Sequence, residues 1–118
     1  MPDKVVLRYR DGRTERVKLG PIDPSREVVD VVFESGDEMD VPFADLKAIF
    51  FPHVPEESME PASGMHLAVE FSDGEVIRGF AHYNPERNGF YLFPIDRSKN
   101  DRIYVVNSAI VSIEVDKL

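Results

Sequence analysis

Apolar and polar residues alternate along two stretches, Val5-Val6-Leu7-Arg8-Tyr9-Arg10 and Leu67-Ala68-Val69-Glu70-Phe71-Ser72, and each runs directly into an Asp-Gly pair. A period of two marks a strand with one face buried. Asp11-Gly12 and Asp73-Gly74 are each followed by a second run, residues 13–19 and 75–81. Asp-Gly between two such runs predicts a hairpin with a type I′ turn, because glycine takes φ > 0 at no steric cost. The two stretches overlay at an offset of 62, which also puts Arg16 on Arg78.

The correspondence continues beyond the hairpins, as a repeat should. Asp23-Pro24-Ser25-Arg26 matches Asn84-Pro85-Glu86-Arg87 as a proline turn. A third strand is expected at 28–33 and 90–93, and a fourth at 39–41 and 103–106. Pro42-Phe43-Ala44-Asp45-Leu46 and Val106-Asn107-Ser108-Ala109-Ile110 each read as a tight turn leading into a fifth strand, with Ile49 on Ile113. The drift in offset fits small insertions in turns, where they cost least. The expected fold is all-β, a tandem pair of small five-stranded SH3/Sm-like barrels packed together. The first unit spans 1–51, a linker 52–65, and the second unit 66–118. One continuous sheet without separate barrels is the alternative. Pro52, Pro55 and Pro61 block regular structure in the linker, and Glu56, Glu57 and Glu60 keep it solvated.

Charge narrows the function. The net charge is −8, and sequence-independent affinity for nucleic acid needs Lys and Arg on phosphates. The imbalance is uneven: residues 1–62 hold 14 acids and 8 bases, residues 63–118 hold 8 and 6. A local basic face on the second half is still compatible with this. The chain has no cysteine, which removes disulfides and thiolate metal sites and fits a reducing interior. No stretch approaches the roughly 20 apolar residues of a membrane helix, so a cytoplasmic protein is expected.

Asp45-Leu46-Lys47-Ala48-Ile49-Phe50-Phe51 closes the first copy. The second carries Val69-Glu70-Phe71-Ser72-Asp73-Gly74-Glu75-Val76-Ile77-Arg78-Gly79, then Asn84-Pro85-Glu86-Arg87-Asn88-Gly89-Phe90-Tyr91-Leu92-Phe93-Pro94, then Arg102-Ile103-Tyr104-Val105-Val106-Asn107-Ser108-Ala109. Together these segments resemble a family of short bacterial proteins of unknown function, sometimes fused to PilZ domains. The resemblance implies a bacterial cytoplasmic setting and a link to cyclic-dinucleotide signalling; it brings no catalytic residue. A PilZ site uses RxxxR and a later [DN]xSxxG. No two arginines here stand four apart, and Asp23-Pro24-Ser25-Arg26-Glu27-Val28 has Val28 where glycine is required. Gly74, Gly79, Asn84 and Asn88 also echo the Sm pattern, which hairpin repeats produce readily.

Catalytic constellations are lacking. His53, His66 and His82 are scattered, without the three or four ligands zinc needs. The glycines stand singly, so there is no phosphate loop, and no Gly-x-Ser-x-Gly frames a serine. No cofactor and no metal is expected. Asp11 and Asp73 are explained by turn chemistry. The loops of the second copy are the richest surface. Tyr83, Asn84, Arg87 and Asn88 precede one strand, and Arg97, Asn100 and Arg102 precede the next. Arg and Tyr anchor interfaces, and an Arg fork recognises carboxylate or phosphate; plain turn formation by Asn84-Pro85 and Asn88-Gly89 is the competing explanation. The expected function is a non-enzymatic protein-interaction or regulatory module that binds a protein partner or a second copy of itself. The alternative is nucleotide or nucleic-acid binding through the same arginine loops. Phe50-Phe51 and Phe90-Tyr91-Leu92-Phe93 are apolar on both strand faces, which predicts packing between the copies or self-association.

Overall fold

The computed structural model describes residues 3–53 and 63–115, and most of the linker expected at 52–65 lies outside the described residues. Ten strands follow in chain order: β1 (Asp3–Tyr9), β2 (Thr14–Leu19), β3 (Val28–Phe33), β4 (Glu38–Pro42) and β5 (Leu46–Pro52), then β6 (Met65–Phe71), β7 (Val76–Ala81), β8 (Gly89–Pro94), β9 (Asn100–Val106) and β10 (Ile110–Val115). Single 3-10 turns, Phe43–Asp45 and Asn107–Ala109, lead into β5 and β10. The described residues contain no α-helix. The chain is all-β.

The strands form one open antiparallel sheet in the order β10-β6-β7-β8-β9-β5-β1-β2-β3-β4. Continuity, not two separately closed barrels, is how the backbone hydrogen bonds are satisfied. The halves nevertheless follow one plan: the last strand pairs with the first, and the other three meander outward. They meet where β5 pairs with β9, Ile49 opposite Tyr104 and Phe50 opposite Ile103.

Two hydrophobic cores lie on opposite faces of this sheet. Val5, Leu7, Val17 and Val31 point into the first, joined by Ile49 and Phe51 from β5 and by Tyr104 and Val106 from β9. Leu67, Val69, Phe71 and Leu92 build the second, joined by Ile103 and Val105 from β9 and by Ala48 and Phe50 from β5. Alternate residues of β5 and β9 thus enter different cores. That explains why Phe50-Phe51 is apolar on both faces, and it places the expected packing between halves at this joint. Phe90-Tyr91-Leu92-Phe93 differs: Phe90, Leu92 and Phe93 are buried, whereas Tyr91 reaches the solvent side.

The hairpins correct the expected turn. A type I′ turn needs φ > 0 at both central residues, but among the described residues only glycines have it, Gly12 at 94° and Gly74 at 91°. Gly12 N–H donates to the Tyr9 carbonyl at 3.1 Å and Tyr9 N–H to the Arg13 carbonyl at 2.9 Å. This is a three-residue loop closed by a left-handed glycine. Gly74 repeats it with Phe71 and Glu75, and Gly36 with Phe33 and Asp37. Asp11 and Asp73 each accept the backbone N–H two residues on, at 2.9 Å.

A buried lysine ties the halves together. Lys47 is 4% exposed, yet its Nζ donates to Asp73 Oδ2 at 2.6 Å and to Glu75, over the Phe71 ring. The bond from Lys47 holds the Asp73 carboxyl below the usual carboxylate range. Arg8 on β1 reaches Glu75 at 3.3 Å. The β6–β7 hairpin is therefore held by cations of the first half.

Candidate binding groove

The two proline turns are built alike and lie against each other. Asn107 Nδ2 donates to the carbonyls of Asn84 and Arg87 at 2.7 and 2.9 Å, closing the second turn. Asn88 Nδ2 donates to the carbonyls of Asp23 and Arg26 at 3.0 and 2.8 Å, closing the first. Each turn therefore receives one amide across its first and fourth residues. The amide of the first turn comes from the other half, because the residue matching Asn107 is Phe43, which has no polar head. Asn88 N–H also donates to the Pro24 carbonyl at 2.9 Å, and its Oδ1 accepts the Tyr104 hydroxyl. Burial pushes that phenol above its ordinary range.

Beside this junction lies a groove of about 720 Å³, with Asn84, Arg87, His82, Tyr91, Phe93 and Arg102 among its walls. Tyr91 and Phe93 alternate with Phe90 and Leu92 along β8, so the strand that fills the core with one face paves the groove with the other. Arg102 lies over Phe51 and Tyr91, 4.4 and 5.2 Å from the ring centres. Such stacking suits a guanidinium, which is planar and weakly hydrated. Arg87 adds charge at the rim. Bonds from Ser25, with the charges of Arg26 and Arg87 contributing, hold the nearby Asp23 carboxyl low. The groove is aromatic and cationic in a chain of net charge −8.

Of the seven residues singled out from sequence, Asn84, Arg87 and Arg102 line this groove. Tyr83 is half exposed and meets the Phe90 ring edge-on at 5.4 Å. Asn88 is committed to the turn of the first half. Arg97 donates through Nε to the Asp101 carbonyl at 2.9 Å and covers the Phe93 ring. Asn100 pairs with Pro52 at the end of the β5–β9 ladder. His82, Tyr91 and Phe93 were missed. Their signal was present: Tyr91 and Phe93 occupy the alternate positions of a strand whose other face is core. His53 Nδ1 lies 2.7 Å from Asp101 Oδ1, and His66 stacks on Phe80 at 5.1 Å. Among the described residues no three His, Asp or Glu side chains converge to hold a metal ion. Nor do these residues include a helix long and apolar enough to cross a membrane.

No curated protein and no solved structure matches the chain. A family model does, that of a family of unknown function (DUF6982), over residues 1–116. With nearly its whole length matched, the chain belongs to that family.

Proposed function

We propose that the chain is a non-enzymatic interaction module that takes a protein partner into the groove of its second half. The carrying observation is the concentration of Arg87, Arg102, Tyr91 and Phe93 in one concave site, in a chain whose overall charge is acidic. Aromatic and arginine side chains in a pocket are what anchor protein interfaces. At the groove's base the carbonyls of Asn84 and Arg87 are bonded to Asn107 and the Tyr104 hydroxyl to Asn88. A preformed site of this kind favours binding over a reaction that needs an activated group. The two halves descend, in this reading, from one duplicated SH3/Sm-like unit. Support comes from their common strand order and their matching proline turns. The lack of cysteine and the family resemblance support a bacterial cytoplasmic role connected with signalling.

The test is crosslinking capture from the native cell, with the wild-type chain beside Arg87→Glu and Tyr91→Ala. Both changes lie at the groove surface, and the Arg87 contact to Asn107 uses only the backbone carbonyl. A specific partner should be recovered about tenfold less with either variant, at unchanged melting temperature for Arg87→Glu. Undiminished recovery by both would reject the groove. A second reading has one observation in its favour: Arg102 over Tyr91 offers a flat cationic stack that a nucleobase could join. Binding that collapses between low and moderate salt identifies a phosphate-bearing ligand instead.

A further inference from the structure

The outward side of the first half carries a charge pattern in which the groove has no part. One row of residues crosses β1 to β4 in register: Lys4 opposite Lys18, Lys18 opposite Val32, Val32 opposite Glu38. Their strand neighbours Val5, Val17 and Val31 are buried, so this row faces away from the core. Arg16 shares the face on β2, and Asp30 and Asp40 share it on β3 and β4, directly opposite each other. The face is therefore basic on β1–β2 and acidic on β3–β4, with Val6 on the basic side and Val32 on the acidic side.

Like charges set opposite each other weaken an antiparallel pair. This face contains two such pairs of opposite sign, Lys4 with Lys18 and Asp30 with Asp40. Among the described residues, Lys4, Arg16 and Lys18 have no ion pair. Asp30 engages Arg26 at 3.2 Å, and the Asp30 carboxyl opposite it holds the Asp40 carboxyl above the usual range. A groove of about 680 Å³ runs over the basic side, lined in part by Lys4, Val6, Arg16, Lys18 and Val32.

The geometry points to this face as the contact of a symmetric dimer, in which a second copy of the chain lays its acidic strands over the basic strands of the first. A two-fold axis along the strands, between β2 and β3, exchanges the two sides of the row. Lys4 then meets Glu38 of the partner subunit, and the stem of Lys18 lies on Val32 of the partner subunit. Self-complementarity is what such an interface requires. A foreign acidic partner would satisfy Lys4 and leave Glu38 facing negative charge; in a second copy Lys4 and Glu38 of each chain find each other. Four short strands about 4.8 Å apart form a small face, so the dimer is weak and concentration-dependent.

Sedimentation and light scattering of the full chain test this. At about 100 µM the wild-type mass should rise toward twice 13.4 kDa. The double variant Lys4→Glu with Lys18→Glu should remain monomeric, and so should Glu38→Lys with Asp40→Lys, each with a dissociation constant raised on the order of a hundredfold. The second variant changes the net charge from −8 to −4, since each of its two replacements adds two positive charges. General repulsion between acidic chains would make it associate better, whereas the proposed contact makes it associate worse. Mixing the two variants should restore a mixed dimer, which also shows that both fold. A wild-type chain that stays monomeric, an acidic-face variant that dimerises alone, or a mixture that does not pair would overturn the proposal.

Discussion

Asn88 makes more contacts between the halves than any other loop side chain described above. Its amide spans the first proline turn and its oxygen takes the Tyr104 hydroxyl. Removing it leaves two backbone carbonyls and a buried phenol without their partner, and an unsatisfied buried polar group costs about 1–3 kcal/mol. Asn88→Ala should therefore lower the unfolding free energy by about that amount in urea titration. Asn100→Ala, at a strand end, should change it far less; equal effects would show that the turn junction carries no special weight. Asn88 was legible in the sequence as a residue worth naming, but as part of an exposed binding loop. Its partners in the first half stand more than 60 positions away, and no local pattern reports a hydrogen bond across that distance. Arg87 and Arg102 were legible for the opposite reason: arginines that flank aromatic strand residues reach the surface wherever the strand is placed.

At the scale of elements, strand positions were readable and loop types were not, although the information was present. A two-residue loop at Asp11-Gly12 would set Val5 opposite Lys18. The observed loop sets Val5 opposite Val17, so two core residues meet across the ladder. Register follows the face that must be buried, and the extra loop residue follows from register. Glycines divide on the same logic. Gly12 has φ of +94° with open space where a Cβ would stand; Gly89 has ordinary backbone but would drive a Cβ into the Val105 carbonyl and the Tyr104 ring. Asn88-Gly89 therefore carries glycine for close approach of β8 to β9, not for a turn. Gly12→Ala should cost about 1–2 kcal/mol, the left-handed penalty. Gly89→Ala should cost more, because two strands must separate. The comparison is made by denaturant midpoint, and a smaller loss at Gly89 would refute the crowding.

For the whole molecule the question is whether ten strands behave as one body or as two. Each half alone has roughly 50 residues, near the lower limit for an independent core. The joint answers by sharing side chains: β5 and β9 each send alternate residues into both cores, and Lys47 adds a buried ionic tie. Neither core keeps its full lining if the other opens. Ile103 is the sharpest probe, because it belongs to the second core yet sits on β9 beside Tyr104 of the first. Ile103→Ala should remove about 2–5 kcal/mol. With coupled cores, hydrogen exchange should show that loss equally in the slowest amides of β2, remote from the substitution, and in those of β7. Protection that falls in β7 and persists in β2 would mean that the halves open independently. The sheet would then be a hinge between two small domains, and a partner seated in the groove, whose wall includes Pro24, would bridge them.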